Sequence, residues 1–355
     1  MANPDVSALA AYLGTYNKQL ILKMYKELTL AADGVQVLTN IKNKQKLTKL
    51  SIGRGLKPYT GTFASEDGQI NYTEREIVLE LIQRDMLIDP LKYKDTWMAD
   101  ELAKSLATNV GKKEQIPFAS VVFDAINKEN AEEMVMALYH GKGKAAFASY
   151  ASGTTYALGA LVKTGSPVKY YRSLANSNTG NAVTDTTKWE RVDYLACFEG
   201  FSKKIAYAIS DEGLSAVSTG AIAAGDSIDQ FKSVYKGLSE TVRNAGNVML
   251  YCSQNNYEIL LADIDEKYKS FTQTEAVTYL PQSNKKAIIK PVNWLSGSGR
   301  VIATPANNLV FGTDQLGDST SMFFKEDHYF LEMSLRFGGA TQIRDLEVLA
   351  VNDQA

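Results

Sequence analysis

Two histidines, His140 and His328, and two cysteines, Cys197 and Cys252, are the metal ligands and nucleophiles that this 355-residue chain has to offer. Neither histidine has a cysteine or carboxylate at ligand spacing, so both read as structural or surface residues. The two cysteines are too few and too far apart for a disulfide framework or a zinc site. Gly141-Lys142-Gly143-Lys144 lacks the earlier glycine and the following Ser or Thr of a phosphate-cradling loop. Asp263 and Asp265 lack the glycine and the later glutamate of a calcium loop. Gly297-Ser298-Gly299-Arg300 lies between two apparent strands and reads as a hairpin turn. Asn71-Tyr72-Thr73 is a glycosylation sequon by its letters, with nothing to imply secretion. The carboxylates are many, but none pairs visibly across a cleft. The chain is therefore not expected to be an enzyme, and no catalytic residue, cofactor or metal site is assigned.

Composition narrows the classes further. The chain is 45% hydrophobic and 22% charged, with 38 basic and 40 acidic residues and a net charge of −2. That is ordinary globular stock, with enough apolar mass for two or three cores. A nucleic-acid wrapper would usually carry a basic excess, so any DNA contact must come from a local patch. Lys42, Lys44, Lys46 and Lys49 form one such run, which either touches phosphate or is simply a solvated face. No apolar run reaches the ~18 residues of a membrane span, and the first residues do not resemble a signal peptide.

The elements follow from periodicity. Residues 1–45 read as an arm in which Leu20, Ile21, Met24, Tyr25 and Leu28 share a helical stripe with no second face to pack on. The stripe is buried either on a neighbour or on its own domain. Residues 46–88 read as one long hairpin: Leu50 and Ile52 alternate with Lys49 and Ser51, and Ile77, Leu79 and Leu81 answer them across a glycine-rich tip. A two-stranded excursion is marginal alone in water and needs a surface to lie on. Pro90 ends the strand, and residues 97–106 read as a short helix. Pro117 then opens a helix running to 140, with Phe118, Val121, Val122, Ala125 and Ile126 on one face. Lys128-Glu129-Asn130 and Glu132-Glu133 interrupt the stripe, Val135, Met136 and Tyr139 resume it, and Gly141 and Gly143 stop it. At 1.5 Å per residue it would run roughly 35 Å. It is either a core helix with a kinked middle or a spine that holds two lobes apart.

Residues 149–195 change style. Three short strands with Tyr156, Tyr170, Tyr171 and Trp189 make a small β insertion. Strand character is expected to return over 196–218, with a strand at 196–209. Asp226 or Ser227 caps a helix carrying Ile228, Phe231, Tyr235 and Leu238. A buried strand at 247–251, a helix capped by Ser253, and a strand pair near 287–292 and 300–304 complete a second lobe over 220–312. The tail alternates through Leu331 and Met333, then Ile343, Leu346 and Val348, as closing antiparallel strands.

Arm, long hairpin, long helix, lobe and closing strands, in that order, resemble the major capsid protein of tailed double-stranded DNA viruses, the Hong Kong 97-type fold. Ile88-Asp89-Pro90-Leu91 leading to Asp95-Thr96-Trp97 is similar to the exit from that family's extended loop. Pro117-Phe118 through Gly141 resembles its spine helix. Gly200-Phe201 with Ile205, then Val217 to Gly220, resembles its step between peripheral and axial domains. Trp294-Leu295, the Ala303-Thr304-Pro305 corner and Asn308-Leu309-Val310-Phe311-Gly312-Thr313-Asp314 resemble its late strands. Outside the insertion the likeness covers most of residues 45–352.

The resemblance implies an α+β fold with an N-terminal arm (1–45), an extended loop (46–88) and a peripheral domain (89–148) carrying the spine helix over 117–140. The β insertion follows (149–195), then peripheral strands (196–219), an axial domain (220–312) and closing peripheral strands (313–355). It implies pentamers and hexamers of an icosahedral shell around non-specifically held double-stranded DNA, assembled in a host cytoplasm. Portal, scaffold or decoration proteins would be partners, and no membrane is implied. Leu20, Met24, Tyr25, Lys57, Tyr59 and Phe63 become candidates for contact between subunits. Some relatives lock subunits by a lysine–asparagine bond, and Lys57 lies at the hairpin tip. A chain beginning at Met1 is expected not to have lost an N-terminal scaffold segment. The insertion is similar to small chitin-binding-type modules, which would make Tyr156, Tyr170, Tyr171 and Trp189 sugar-stacking residues and the chain an adhesin or fibre subunit. The other reading of Tyr156, Tyr171 and Trp189 is that they are the module's own core.

Overall fold

The computed structural model describes residues 30–52, 70–89, 117–268, 278–314, 322–326 and 330–354, and the fold is mixed α+β. One sheet is organised on a thirteen-residue strand, β15 (Leu331–Ile343). Leu331, Met333, Leu335 and Phe337 alternate inward on it, as period two requires. Along one edge of β15 runs β4 (Glu80–Ile88), antiparallel from Ile88↔Leu331 to Glu80↔Gly339. Along the other edge lie β14 (Met322–Glu326) and β13 (Leu309–Thr313), and β1 (Gln36–Leu38) adds to β13 in parallel.

Packed against the inner side of this sheet is α1 (Pro117–His140), one continuous helix. Its Ile126, Met134, Ala137 and Leu138 share a core with Ile82, Ile88, Leu331 and Phe337. The helix assignment runs unbroken through the polar interruption read from the sequence. Asn127 and Asn130 are buried, and Arg84 of β4 donates to Asn130 Oδ1 at 2.8 Å, so the sheet covers the polar turn. At the helix end the chain crosses itself: a Cβ on Gly200 would sit 2.6 Å from the Ala137 carbonyl, closer than any side chain tolerates.

Several expected elements take a different form. The stretch expected as a strand over 196–209 contains the helix α2 (Phe201–Asp211). Phe201, Ile205 and Ala208 are all buried, and their spacing of four and three is helical, not alternate. The hairpin does not run to 88. Strand β2 (Lys44–Ile52) pairs with β3 (Ile70–Val78), from Lys44↔Val78 to Ile52↔Ile70. After Leu79 the chain leaves the ribbon, and β4 joins the large sheet.

The second sheet runs β10 (Thr278–Tyr279), β11 (Ala287–Pro291), β9 (Val248–Cys252), β12 (Ile302–Pro305), β16 (Ala350–Val351). The strands at 287–291 and 302–305 are thus not a pair, because β9 lies between them. Gly297 to Arg300 is accordingly part of a crossover and not a hairpin turn. That crossover sinks Trp294 and Leu295 into the core. On this sheet pack α3 (Ser227–Lys236) and α5 (Gln254–Tyr268), with the short α4 (Glu240–Ala245) between them in sequence. The cap of α3 is non-local: Asp263 of α5 accepts from the Gly225 and Ser227 backbone N–H groups, where Asp226 or Ser227 was expected to serve.

The tail also divides. Residues 331–343 complete the first sheet, but β16 closes the second through Val351↔Ile302. Asp353 secures it by accepting from the Thr219 and Gly220 amides and the Ser218 hydroxyl. The insertion carries four strands, where three were expected: β5 (Ala148–Ser149), β6 (Leu161–Thr164), β7 (Lys169–Ser173) and β8 (Trp189–Arg191). The extra one, β5, is only two residues long. The residues expected as a helix over 97–106 lie outside the described residues.

Candidate functional site

The ribbon β2–β3 has two unlike faces, and the register separates them. Side chains directly opposite in an antiparallel pair share a face. On one face are Leu47, Ile77, Lys49 and Arg75; on the other are Leu50 opposite Tyr72 and Ile52 opposite Ile70. The first face lies on the body. Leu47 and Ile77 are buried with Ile41, Val310 and Ala340. Gly312 is the floor of that seat, since a Cβ there would stand 2.7 Å from Ile77 Cδ1. Beside this seat, and one step beyond it at Lys49, the attachment is polar. Lys49 Nζ sits 2.7 Å from both Asp345 Oδ2 and Glu347 Oε2, Arg75 Nη2 is 2.9 Å from Glu212 Oε2, and Gln342 Nε2 donates to the Glu76 carbonyl at 2.7 Å.

The outward face is divided along its length. Near the root, Lys44–Glu76 (3.2 Å) and Lys46–Glu74 (2.5 Å) form cross-strand ion pairs. Toward the tip, Leu50, Ile52, Ile70 and Tyr72 are 54%, 72%, 58% and 69% exposed. Four large apolar side chains on one face of a two-stranded ribbon are not what a ribbon in plain water displays. The outer face of the large sheet adds Leu81, Leu87 and Phe323, also exposed.

The other expected site residues sort as follows. Leu20, Met24, Tyr25, Lys57, Tyr59, Phe63 and His328 lie outside the described residues. Lys44, Lys46 and Lys49 each have a carboxylate partner, so the lysine run is not a bare basic patch. Trp189 and Tyr156 are 2% and 9% exposed, and the indole N–H donates to the Asn181 carbonyl at 3.0 Å. Tyr150 packs on both rings, at 5.7 Å and 5.9 Å between centroids. Trp189 and Tyr156 therefore offer no open ring face to a sugar; a module this small has few other large side chains from which to build a core. Tyr171 is half-buried beside that core, and Tyr170 packs edge-on against Phe147 at 4.9 Å. Ile70 and Tyr72 were not singled out from the sequence, although Ile70-Asn71-Tyr72-Thr73 has the alternation that marks them.

Among the described residues, the polar groupings are paired in ways that suit structure better than catalysis. His140 Nε2 is 2.9 Å from the Ser296 carbonyl, and burial lowers its pKa, which favours the neutral ring. A cleft between β4, α1 and the foot of the insertion holds Arg84, Glu133, Arg191, Asp193 and Cys197. Two ion pairs, Arg84–Glu133 (3.2 Å) and Arg191–Asp193 (2.5 Å), lie in it, and Asp85, which also lines it, accepts from the Gln83 side chain. Burial pushes the Cys197 thiol up to about 12, far from a thiolate nucleophile at neutral pH. Cys252 is likewise raised to about 12.

No protein-family model matches the chain, and no curated protein matches it in sequence. Among solved structures, it is similar to a chain of the satellite phage P4 procapsid that includes the size-determination protein. Identity there is 12%, with 97% of this chain and 94% of that one covered, at a TM-score of 0.49. It is also similar to a chain of the Myoviridae phage XM1 capsid (12% identity, 92% and 91% covered, TM-score 0.43). A third likeness is to a virus-like particle from Pyrococcus furiosus (9% identity, 94% and 98% covered, TM-score 0.42).

Proposed function

We propose that this chain is a non-catalytic shell subunit that assembles with copies of itself into pentamers and hexamers of a closed icosahedral container for double-stranded DNA. The observation that carries the reading is the ribbon: one face is seated on the body, while Leu50, Ile52, Ile70 and Tyr72 on the other have nothing to cover them among the described residues. Burying those four side chains on a neighbour removes on the order of 400 Å² of apolar surface, or ~10 kcal/mol at 25 cal/mol per Å² before ordering costs. A contact from a protruding ribbon to a different surface of the next copy is heterologous, and such contacts close into rings when the rotation permits. The order of elements, which resembles that of tailed-virus capsid proteins, supports the same reading. So does the near-neutral net charge, which suits a wall that encloses DNA without binding it tightly. Portal, scaffold or decoration proteins would be further partners, and a host cytoplasm the place of assembly. The adhesin reading loses its footing with Trp189 and Tyr156 inside the module.

Electron microscopy of the purified full chain, alone and co-expressed with candidate scaffold proteins, tests the proposal. Closed shells or five- and six-membered rings are the expected result. Monomers alone, at every protein concentration and ionic strength, would contradict it.

A further inference from the structure

We propose that the ribbon is held at a set angle to the body by a two-point charge latch, Lys49 with Asp345 and Glu347 on one strand and Arg75 with Glu212 on the other, and that opening the latch lets the ribbon swing about its apolar root. The ribbon's attachments are graded along its length. Closest to the body are Leu47 and Ile77 over Gly312, together with the Leu79 N–H to Asn43 carbonyl hydrogen bond at 2.9 Å. These contacts are apolar or backbone and do not respond to salt. Lys49 lies one step farther out than Leu47, and its partner Glu347 is 84% exposed, whereas Arg75 with Glu212 lies level with Leu47 and is more shielded; added salt weakens the exposed pair most. Lys49 stands two residues beyond Leu47, roughly 7 Å along a strand at 3.4 Å per residue. A contact at that distance from the root controls tilt more than it controls pairing.

The body side of the latch is built to stay in place. The Asp345 backbone N–H donates to Asn308 Oδ1 and its carbonyl accepts from Asn308 Nδ2, both at 2.8 Å. Its Oδ1 takes the Glu347 N–H at 3.0 Å, leaving Oδ2 for Lys49. The neighbouring charges are engaged elsewhere. Arg344 turns to Gln36, Lys204 pairs with Glu199 at 2.6 Å, and Glu74 and Glu76 are held by lysines of the outward face. Lys203 lines the same cleft as Arg75 and Glu212. Burial works to lower the Lys49 pKa, but the hydrogen bonds and charges of Asp345 and Glu347 together outweigh it and raise it. The lysine is therefore charged, and the latch closed, throughout the neutral range; it is lost as pH rises through that raised value.

The consequence of a swing, presenting the apolar outward face at different angles to a neighbour, rests on the shell reading. The latch does not. It is tested on the dilute, unassembled full chain by electron–electron distance measurement between nitroxides at Asn71→Cys and Asn255→Cys in a Cys197→Ala background. At low salt one narrow distribution is expected. Molar salt, or Lys49→Gln with Arg75→Gln, should at least double its width, while Lys49→Arg keeps it narrow. A width unchanged by both the salt and the double variant would overturn the latch. The salt series uses no latch variant, so it remains decisive if the double variant misfolds. Absence of shells in the microscope would overturn the shell reading and leave this result standing.

Discussion

A methyl group at position 312 has nowhere to go, since Ile77 and Ile41 already fill that space at 2.7 and 2.8 Å. Gly312→Ala should destabilise the ribbon root by about 1–3 kcal/mol, the usual range for overpacking, read as a lowered melting temperature. A melt unchanged from wild type would mean the root is looser than drawn. Trp189→Ala removes a buried anchor and should cost ~3–5 kcal/mol. Hydrogen exchange over 150–192 should rise while that of the large sheet does not. At the tail, Asp353 is held down to about 2, first by the Gln354 side chain and then by the Thr219 amide and Ser218 hydroxyl. Its folded pKa lies below an ordinary aspartate's, ~3.9. What it contributes is therefore present above pH ~4 and lost as pH falls toward 2. A carbon-detected titration should show the Asp353 carboxyl and the Thr219 and Gly220 amides moving together in that window, and Asp353→Asn should abolish the step. Some residues were readable and some were not. Trp189 could be read as core because so small a module has few alternatives. Asn130 could not, because its partner Arg84 is 46 positions away and only the fold brings them together.

The elements were legible where period and length agreed. The helix from Pro117 to His140 and the helix–strand alternation over residues 227–268 are plain in the spacing of apolar residues. The helix at Phe201–Asp211 was missed because its three buried positions are spread through small and charged residues. The length of the ribbon was misjudged for another reason. Strand-forming residues run on from β3 into β4, and the apolar pairs around Leu79 hide the shift of the inward positions from Ile77 to Ile82 that marks the change of sheet. Strand order in the second sheet was equally hidden, because β9 enters between β11 and β12 from earlier in the chain. At this scale the ribbon makes its own prediction. Ile52→Ser with Tyr72→Ser alters only exposed positions, so the melt of the unassembled chain should stay within about 0.5 kcal/mol of wild type. Assembly, followed by sedimentation velocity, should be lost or shifted to more than tenfold higher concentration. Normal assembly of that variant would remove the ribbon from the account.

For the whole molecule, the physical question is what covers the outward face of the ribbon. Among the described residues both sheets have a full inner layer and the insertion has a core of its own, while Leu81, Leu87 and Phe323 lie open on the outer face of the large sheet. Against that background Leu50, Ile52, Ile70 and Tyr72 stand out as surface waiting for a second molecule. The most direct measurement is hydroxyl-radical footprinting of those four side chains in the isolated chain and in its assembled form. The account predicts ready labelling in the isolated chain and at least severalfold protection on assembly, with the exposed face of α5 little changed. Equal labelling of the four in both states would contradict it.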